Sequence, residues 1–194
     1  MGCDIHLYLE HKENDKWWGT PRMPIGRYYG LFAVIAGVRD YNTEVEMFEP
    51  RGVPKDISWN TLDDYTLYIV DHETNEMGCC SREQAESYAK YSPYWDIKKT
   101  RIEHPDWHSA SWLTLAEYKI AYQRYLDYFK QPCFPDLAKY RESKDHEGFI
   151  KELEILKDKT EPISPIPEVE ASIAYLEALS KYTLFTRVVF WFDN

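Results

Sequence analysis

The stretch Cys3-Asp4-Ile5-His6-Leu7-Tyr8-Leu9-Glu10 decides the fold, together with the closing run Leu184 to Phe192 (LFTRVVFWF). In the first, Cys3, Ile5, Leu7 and Leu9 alternate with Asp4, His6, Tyr8 and Glu10. A period of two sends successive side chains to opposite faces of a strand, so this strand has one buried apolar face and one polar face. The closing run is rich in β-branched and aromatic residues, and a strand that apolar belongs near the centre of a sheet. The two are expected to be neighbours or near neighbours. That places Asp4 and His6 within reach of the C-terminal residues.

Working outward, Tyr29 to Val38 (YGLFAVIAGV) is nearly all apolar and reads as a buried helix ending near Gly37. Residues 11–27, with Gly19, Pro21, Pro24 and Gly26, read as turn and loop, and 40–56 as an irregular loop. Asp56 to Leu62 is expected to form one helical turn, and Tyr65 to Val70 (YTLYIV) a strand. Ser81 and Gln84 fit a capping box that opens a helix reaching about Tyr91. Residues 92–113 read as a long loop. Thr114 and Glu117 form a second capping box, and the helix behind it carries Tyr118, Tyr122, Tyr125 and Phe129 on one face. That stripe reads as a packing face, with a subunit interface as the alternative. Residues 131–146 read as a connector, 149–156 as a helix, 160–167 as a linker, and Glu168 to Tyr182 as an amphipathic helix. The expected fold class is α+β: a mixed or antiparallel sheet containing both terminal strands, with helices packed on it. The chain is read as one domain, 1–194, with a helical insertion at about 114–182.

The chain has 194 residues, 44% of them hydrophobic, and a net charge of −10. The apolar fraction supports a core and excludes global disorder. The acidic balance excludes a bulk nucleic-acid binder, which needs excess Lys and Arg to neutralise phosphates. No uninterrupted apolar run reaches about 18 residues, so no membrane association is expected. No secretory signal pattern stands at the start, and His6 occupies the place where a myristoylation pattern wants Ser or Thr. The four cysteines form no CxxC pair and read as free thiols in a reducing, cytoplasmic setting. The 16 Tyr, 7 Trp and 8 Phe are the unusual feature of the composition.

Three groups of residues can carry chemistry. Asp4, His6 and Glu10 share a strand face, and a carboxylate with an imidazole two residues away can share a metal ion or a proton. The segment His104 to Trp112 packs His104, Asp106, Trp107, His108, Ser109, Ser111 and Trp112 ahead of a capped helix, whose N-terminus favours an anion. There Ser109 and Ser111 can donate to phosphate oxygens, and Trp107 or Trp112 can stack on a base. The third group is Arg39, Arg51 and Arg187. Arg187 interrupts an apolar strand and needs a partner; Asp193 or Asp4 is the expected one, with a ligand phosphate as the alternative. Trp17, Trp18, Tyr94 and Trp95 are further candidate ligand contacts. No GxGxxG, P-loop, HExxH or GxSxG motif is present.

The opening Met1-Gly2-Cys3-Asp4-Ile5-His6 resembles the start of a family of small, functionally uncharacterised proteins found in phages and prophage-bearing bacterial genomes. Also similar are Leu31 to Arg39 (LFAVIAGVR), Pro50 to Pro54 (PRGVP), His108 to Thr114 (HSASWLT) and Val189 to Asn194 (VFWFDN). The resemblance covers most of the chain outside 131–182 and implies a phage protein in the host cell cytoplasm. By analogy of context, such proteins can act against host defences, some as oligomeric sponges for nucleotide-derived immune signals.

The leading expectation is thus a homo-oligomeric protein that binds a small nucleotide-type ligand without a cofactor. Its contacts would be Asp4, His6, Arg39, Arg51, Trp107, His108, Ser109, Ser111 and Trp112. One alternative is a metal-dependent phosphoesterase, with a divalent metal on Asp4, His6, His108 and Asp193. The other is a protein-binding inhibitor of a host defence factor. Catalytic residues, and whether there is turnover at all, are left open.

Overall fold

The computed structural model describes residues 2–39, 44–90 and 100–193; Tyr94 and Trp95 lie outside them. The fold is α+β, and the terminal strands β1 (Ile5–Glu13) and β9 (Thr186–Phe192) pair antiparallel, His6 opposite Trp191 and Glu10 opposite Arg187. With β2 (Lys16–Gly19) and β6 (His108–Thr114) they form a four-stranded antiparallel sheet, order β2-β1-β9-β6. The apolar closing strand is therefore central, as its composition requires.

The period-two pattern divides the sheet cleanly. Ile5, Leu7, Leu9, Val188, Phe190 and Phe192 face the main core, which is closed by α1 (Tyr29–Ala36), α4 (Leu115–Tyr128) and α7 (Pro167–Leu179). The helix α1 ends at Gly37, whose φ of +63° suits a residue without a Cβ. The Tyr118, Tyr122 and Tyr125 stripe is buried here. Two of its hydroxyls are matched: Tyr118 bonds Ser172, and the Tyr122 oxygen accepts the Ile166 N–H at 2.7 Å. The stripe is a packing face, not a subunit interface. On the opposite sheet face, Tyr8, Val189 and Trp191 pack with Tyr65, beneath Val53, Ile57, Trp107 and Trp112.

A second sheet, β4-β3-β5, is built from β3 (Thr66–Val70), β4 (Cys79–Ser81) and β5 (Arg101–Glu103). Before it lies α2 (Trp59–Tyr65), capped by Ser58; this helix starts later than the turn expected from Asp56. Behind it lies α3 (Arg82–Ala89), opened by the Ser81–Gln84 capping box. The stretch 130–162 leaves the main core as a ribbon of β7 (Lys130–Pro132) and β8 (Thr160–Pro162), carrying α5 (Leu137–Ser143) and α6 (His146–Leu156).

Several segments read as loops are thus ordered elements. Residues 11–27 contain β2, because Asn14 and Asp15 both adopt left-handed φ (47° and 62°) and close a two-residue hairpin. Residues 92–113 contain β5 and β6. The pairing of β6 shifts between His108 and Ser111, where Ser109 has φ +50°, and this bulge breaks the alternation that would mark a strand. The 131–146 connector and 160–167 linker contain α5 and β8. Among the described residues no helix is long and apolar enough to cross a membrane.

Candidate functional site

Pairing of the first and last strands builds a polar cluster at one end of the main sheet. His6 Nε2 lies 3.0 Å from Asp193 Oδ2, and the Asp4 N–H donates to Asp193 Oδ1 at 3.0 Å. Arg27 binds both oxygens of the Asp4 carboxylate, at 2.6 and 2.8 Å, and holds its pKa below the ordinary value. His6 is only 8% exposed, and burial lowers its pKa despite Asp193. Burial works against ionisation of Asp193, but the bonds from His6 and the Asp4 backbone hold its pKa down. Beyond His6 lies the Trp107 ring, tilted against it, and His104 stacks on Trp107, each step 4.4 Å between centroids.

His108 reaches the same end of the sheet from the opposite face. It pairs with Phe192 and stacks on it, whereas His6 pairs with and stacks on Trp191. Adjacent residues of a strand point opposite ways, so the two imidazoles are separated by the sheet. Burial lowers the pKa of His108, and Arg39 lies near enough to it and to Cys3 to act on both electrostatically. Asp4, His6 and Asp193 therefore converge, with Asp4 committed to Arg27, while His108 approaches Asp193 from the other face, near enough for the Asp193 backbone and carboxylate to oppose the effect of burial on it. Among the described residues no three His, Cys, Asp or Glu side chains gather as a metal-holding group.

The arginines resolve differently from the sequence expectation. Arg187 is 4% exposed and pairs with neither Asp193 nor Asp4. Its Nε donates to Glu10 Oε2 at 2.8 Å, and its Nη1 to Asp56 Oδ1 at 2.8 Å. Glu10 is fully buried, and its other oxygen accepts the Ser58 N–H. The face-sharing of Glu10 and Arg187 follows from their register, which places them directly opposite each other. Trp17 lies over the Arg187 guanidinium at 3.7 Å, and Trp112 lies between Arg187 and Arg51, at 5.9 and 5.0 Å. Trp17 and Trp112 thus pack against structural cations.

Arg51 forks onto Glu117 at 2.6 and 3.0 Å. Its guanidinium, with the Thr114 cap behind it, holds the Glu117 pKa down at about 2 against burial. The start of α4 is therefore already occupied by its own carboxylate, and is not an open anion site. Ser111, expected to donate to phosphate, is fully buried and its Oγ accepts the Arg51 N–H.

Arg51 and Ser109 do meet in a cleft of about 1090 Å³. Residues 50–55 and Ile57 form one part of its lining, and Tyr65, Thr66, Arg101, Ile102 and Glu103 another. Ser109 and Ala110 of β6 complete it. The Gly52 N–H donates to Ala110 O at 2.9 Å, and Gly52 has φ +73°, which anchors the loop against the bulge. Val53, Pro54, Ile57, Tyr65 and Ile102 supply apolar surface, while Arg51, Lys55 and Arg101 supply positive charge. Arg101 is held by Asp63 at 2.8 Å and stacks on Trp59 and Tyr68. Lys55 is exposed and carries no ion pair among the described residues. Near the cleft, the indole N–H groups of Trp107 and Trp191 are buried without a protein acceptor.

Sequence reasoning missed Lys55, Tyr65 and Arg101. They come from separate segments, and only the placement of the second sheet brings them together. No protein-family model, curated protein or solved structure matches the chain.

Proposed function

We propose that the chain is a small-ligand-binding protein that takes a nucleotide-type anion into the cleft between residues 50–57 and β5, and sequesters it. The observation that carries this reading is the cleft itself. Its volume, about 1090 Å³, matches the upper end of small-molecule sites. Its chemistry is divided as such a ligand requires. Val53, Ile57, Tyr65 and Ile102 offer an apolar bed for a base, and Arg51, Lys55 and Arg101 offer charge for phosphate. Arg51 and Arg101 are preorganised by their carboxylate partners, which lowers the ordering cost of binding. The net charge of −10 slows the approach of an anion; within the cleft Lys55 is the cation not already held by a carboxylate, while Arg51 and Arg101 can add donors to a phosphate from within their ion pairs and Glu103 opposes it.

A thermal-shift screen of the intact chain against mono-, di- and cyclic nucleotides and ADP-ribose derivatives tests the reading. At least one is expected to raise the unfolding midpoint, and Lys55→Glu to weaken that effect. A flat response across the whole panel would refute it. Retention of a host protein in a pull-down, with no nucleotide response, would favour the protein-binding alternative instead.

A further inference from the structure

The arm 130–162 has features that the proposed ligand site does not use. Neither α5 nor α6 contains a buried residue. They hold each other through the Tyr140 and Phe149 rings and through Lys139, whose Nζ donates to Glu152 at 3.2 Å. Helices of seven and eleven residues are too short to persist in water on propensity alone, so such a pair needs a further packing partner. On α6, Phe149, Ile150, Leu153 and Leu156 fall within an arc of roughly 120° at 3.6 residues per turn. Phe149 and Leu156 are half-buried, while Ile150 and Leu153 are exposed. Phe134 and Leu137 add two more exposed apolar side chains.

The arm's charge is compatible with a second copy of the chain as the occupant. The arm holds seven Lys or Arg and eight Asp or Glu, a net of −1, against −9 for the rest of the chain. A two-fold contact sets a surface against its own copy, so it requires a patch that does not repel itself. On this acidic molecule the arm meets that condition. A basic partner, by contrast, would be drawn to the acidic body. A standard interface buries about 800 Å² per partner, somewhat more than half of it apolar. Phe134, Leu137, Ile150 and Leu153 together offer on the order of 400 Å², close to that apolar share.

We infer that the arm is a self-association element: α5 and α6 of one protomer pack against the same helices of a second copy of this chain. This contact is separate from the buried tyrosine face of α4.

Sedimentation equilibrium or light scattering on the full chain, across a micromolar concentration series, tests it. The wild type is expected to be a dimer. Ile150→Glu/Leu153→Glu is expected to be monomeric. Ile150→Ala/Leu153→Ala, which preserves helix propensity, is expected to weaken the dimer at least about tenfold. Both pairs change exposed positions, so the unfolding midpoint of a dilute sample reports whether the core is intact. A wild type that stays monomeric throughout the series overturns the inference. So does a dimer that survives both double variants with the core folded.

Discussion

Replacement of Glu10 by alanine is the sharpest perturbation of the fold. In the native protein one Glu10 oxygen accepts the Ser58 N–H at 2.9 Å, and the other takes Arg187 Nε at 2.8 Å. Removing the carboxylate orphans a buried amide and leaves Arg187 with Asp56 alone, whose side chain is 61% exposed. Removing one partner of a buried pair costs about 3–5 kcal/mol, and the surviving Asp56 contact places Glu10→Ala near the lower end, about 3 kcal/mol. For a chain of this size that lowers the unfolding midpoint by roughly 6–12 °C. Urea denaturation of Glu10→Ala, Arg187→Met and the double variant Glu10→Ala/Arg187→Met measures the coupling. The double variant is expected to lose less stability than the sum of its parts, by at least about 1 kcal/mol. Additive losses, or a Glu10→Ala cost below about 1 kcal/mol, would show that the pair does not hold the sheet to the 50–57 segment.

Two further outcomes follow from the same geometry. His6, His104 and His108 all have pKa values lowered by burial, so below the ordinary histidine value of 6.5 the unfolded chain binds more protons than the folded one. Stability therefore falls as pH drops through 6.5, before the carboxylates titrate, and His6→Gln should flatten that slope in pH-dependent urea unfolding. Tyr122→Phe removes the acceptor for the Ile166 N–H at the start of α7, a residue with no side-chain cap, and should cost about 1–2 kcal/mol by the same assay.

What was legible in the sequence was local. Cys3 to Glu10 declares its faces by alternation, and Thr186 to Phe192 declares its central place by the continuous apolar run after Arg187. The Ser81–Gln84 and Thr114–Glu117 boxes fix helix starts because each cap needs only residues within one turn. Strand β6 was hidden by its bulge at Ser109, and β2 by a hairpin turn that uses Asn14-Asp15 without glycine. The partners of Arg187 lie 177 and 131 residues away, so no local pattern could name Glu10 or Asp56. The need for a partner was readable, since an unpaired buried charge is too costly, but its identity required the register. For the candidate site, Asp4, His6 and Asp193 were legible as neighbours through the strand pairing. The cleft was not, because Lys55, Arg101 and Ser109 meet only when the second sheet docks beside β6.

The ligand reading rests on one cavity, and Ala110 lines it. Isothermal titration of the wild type and of Ala110→Trp, which enlarges a side chain in the cleft lining next to the Tyr65–Trp191 cluster, tests that reading most directly. The wild type is expected to bind one nucleotide-type ligand per chain, and a folded Ala110→Trp none. Undiminished binding by that variant, or no heat from any nucleotide with the wild type, would contradict it.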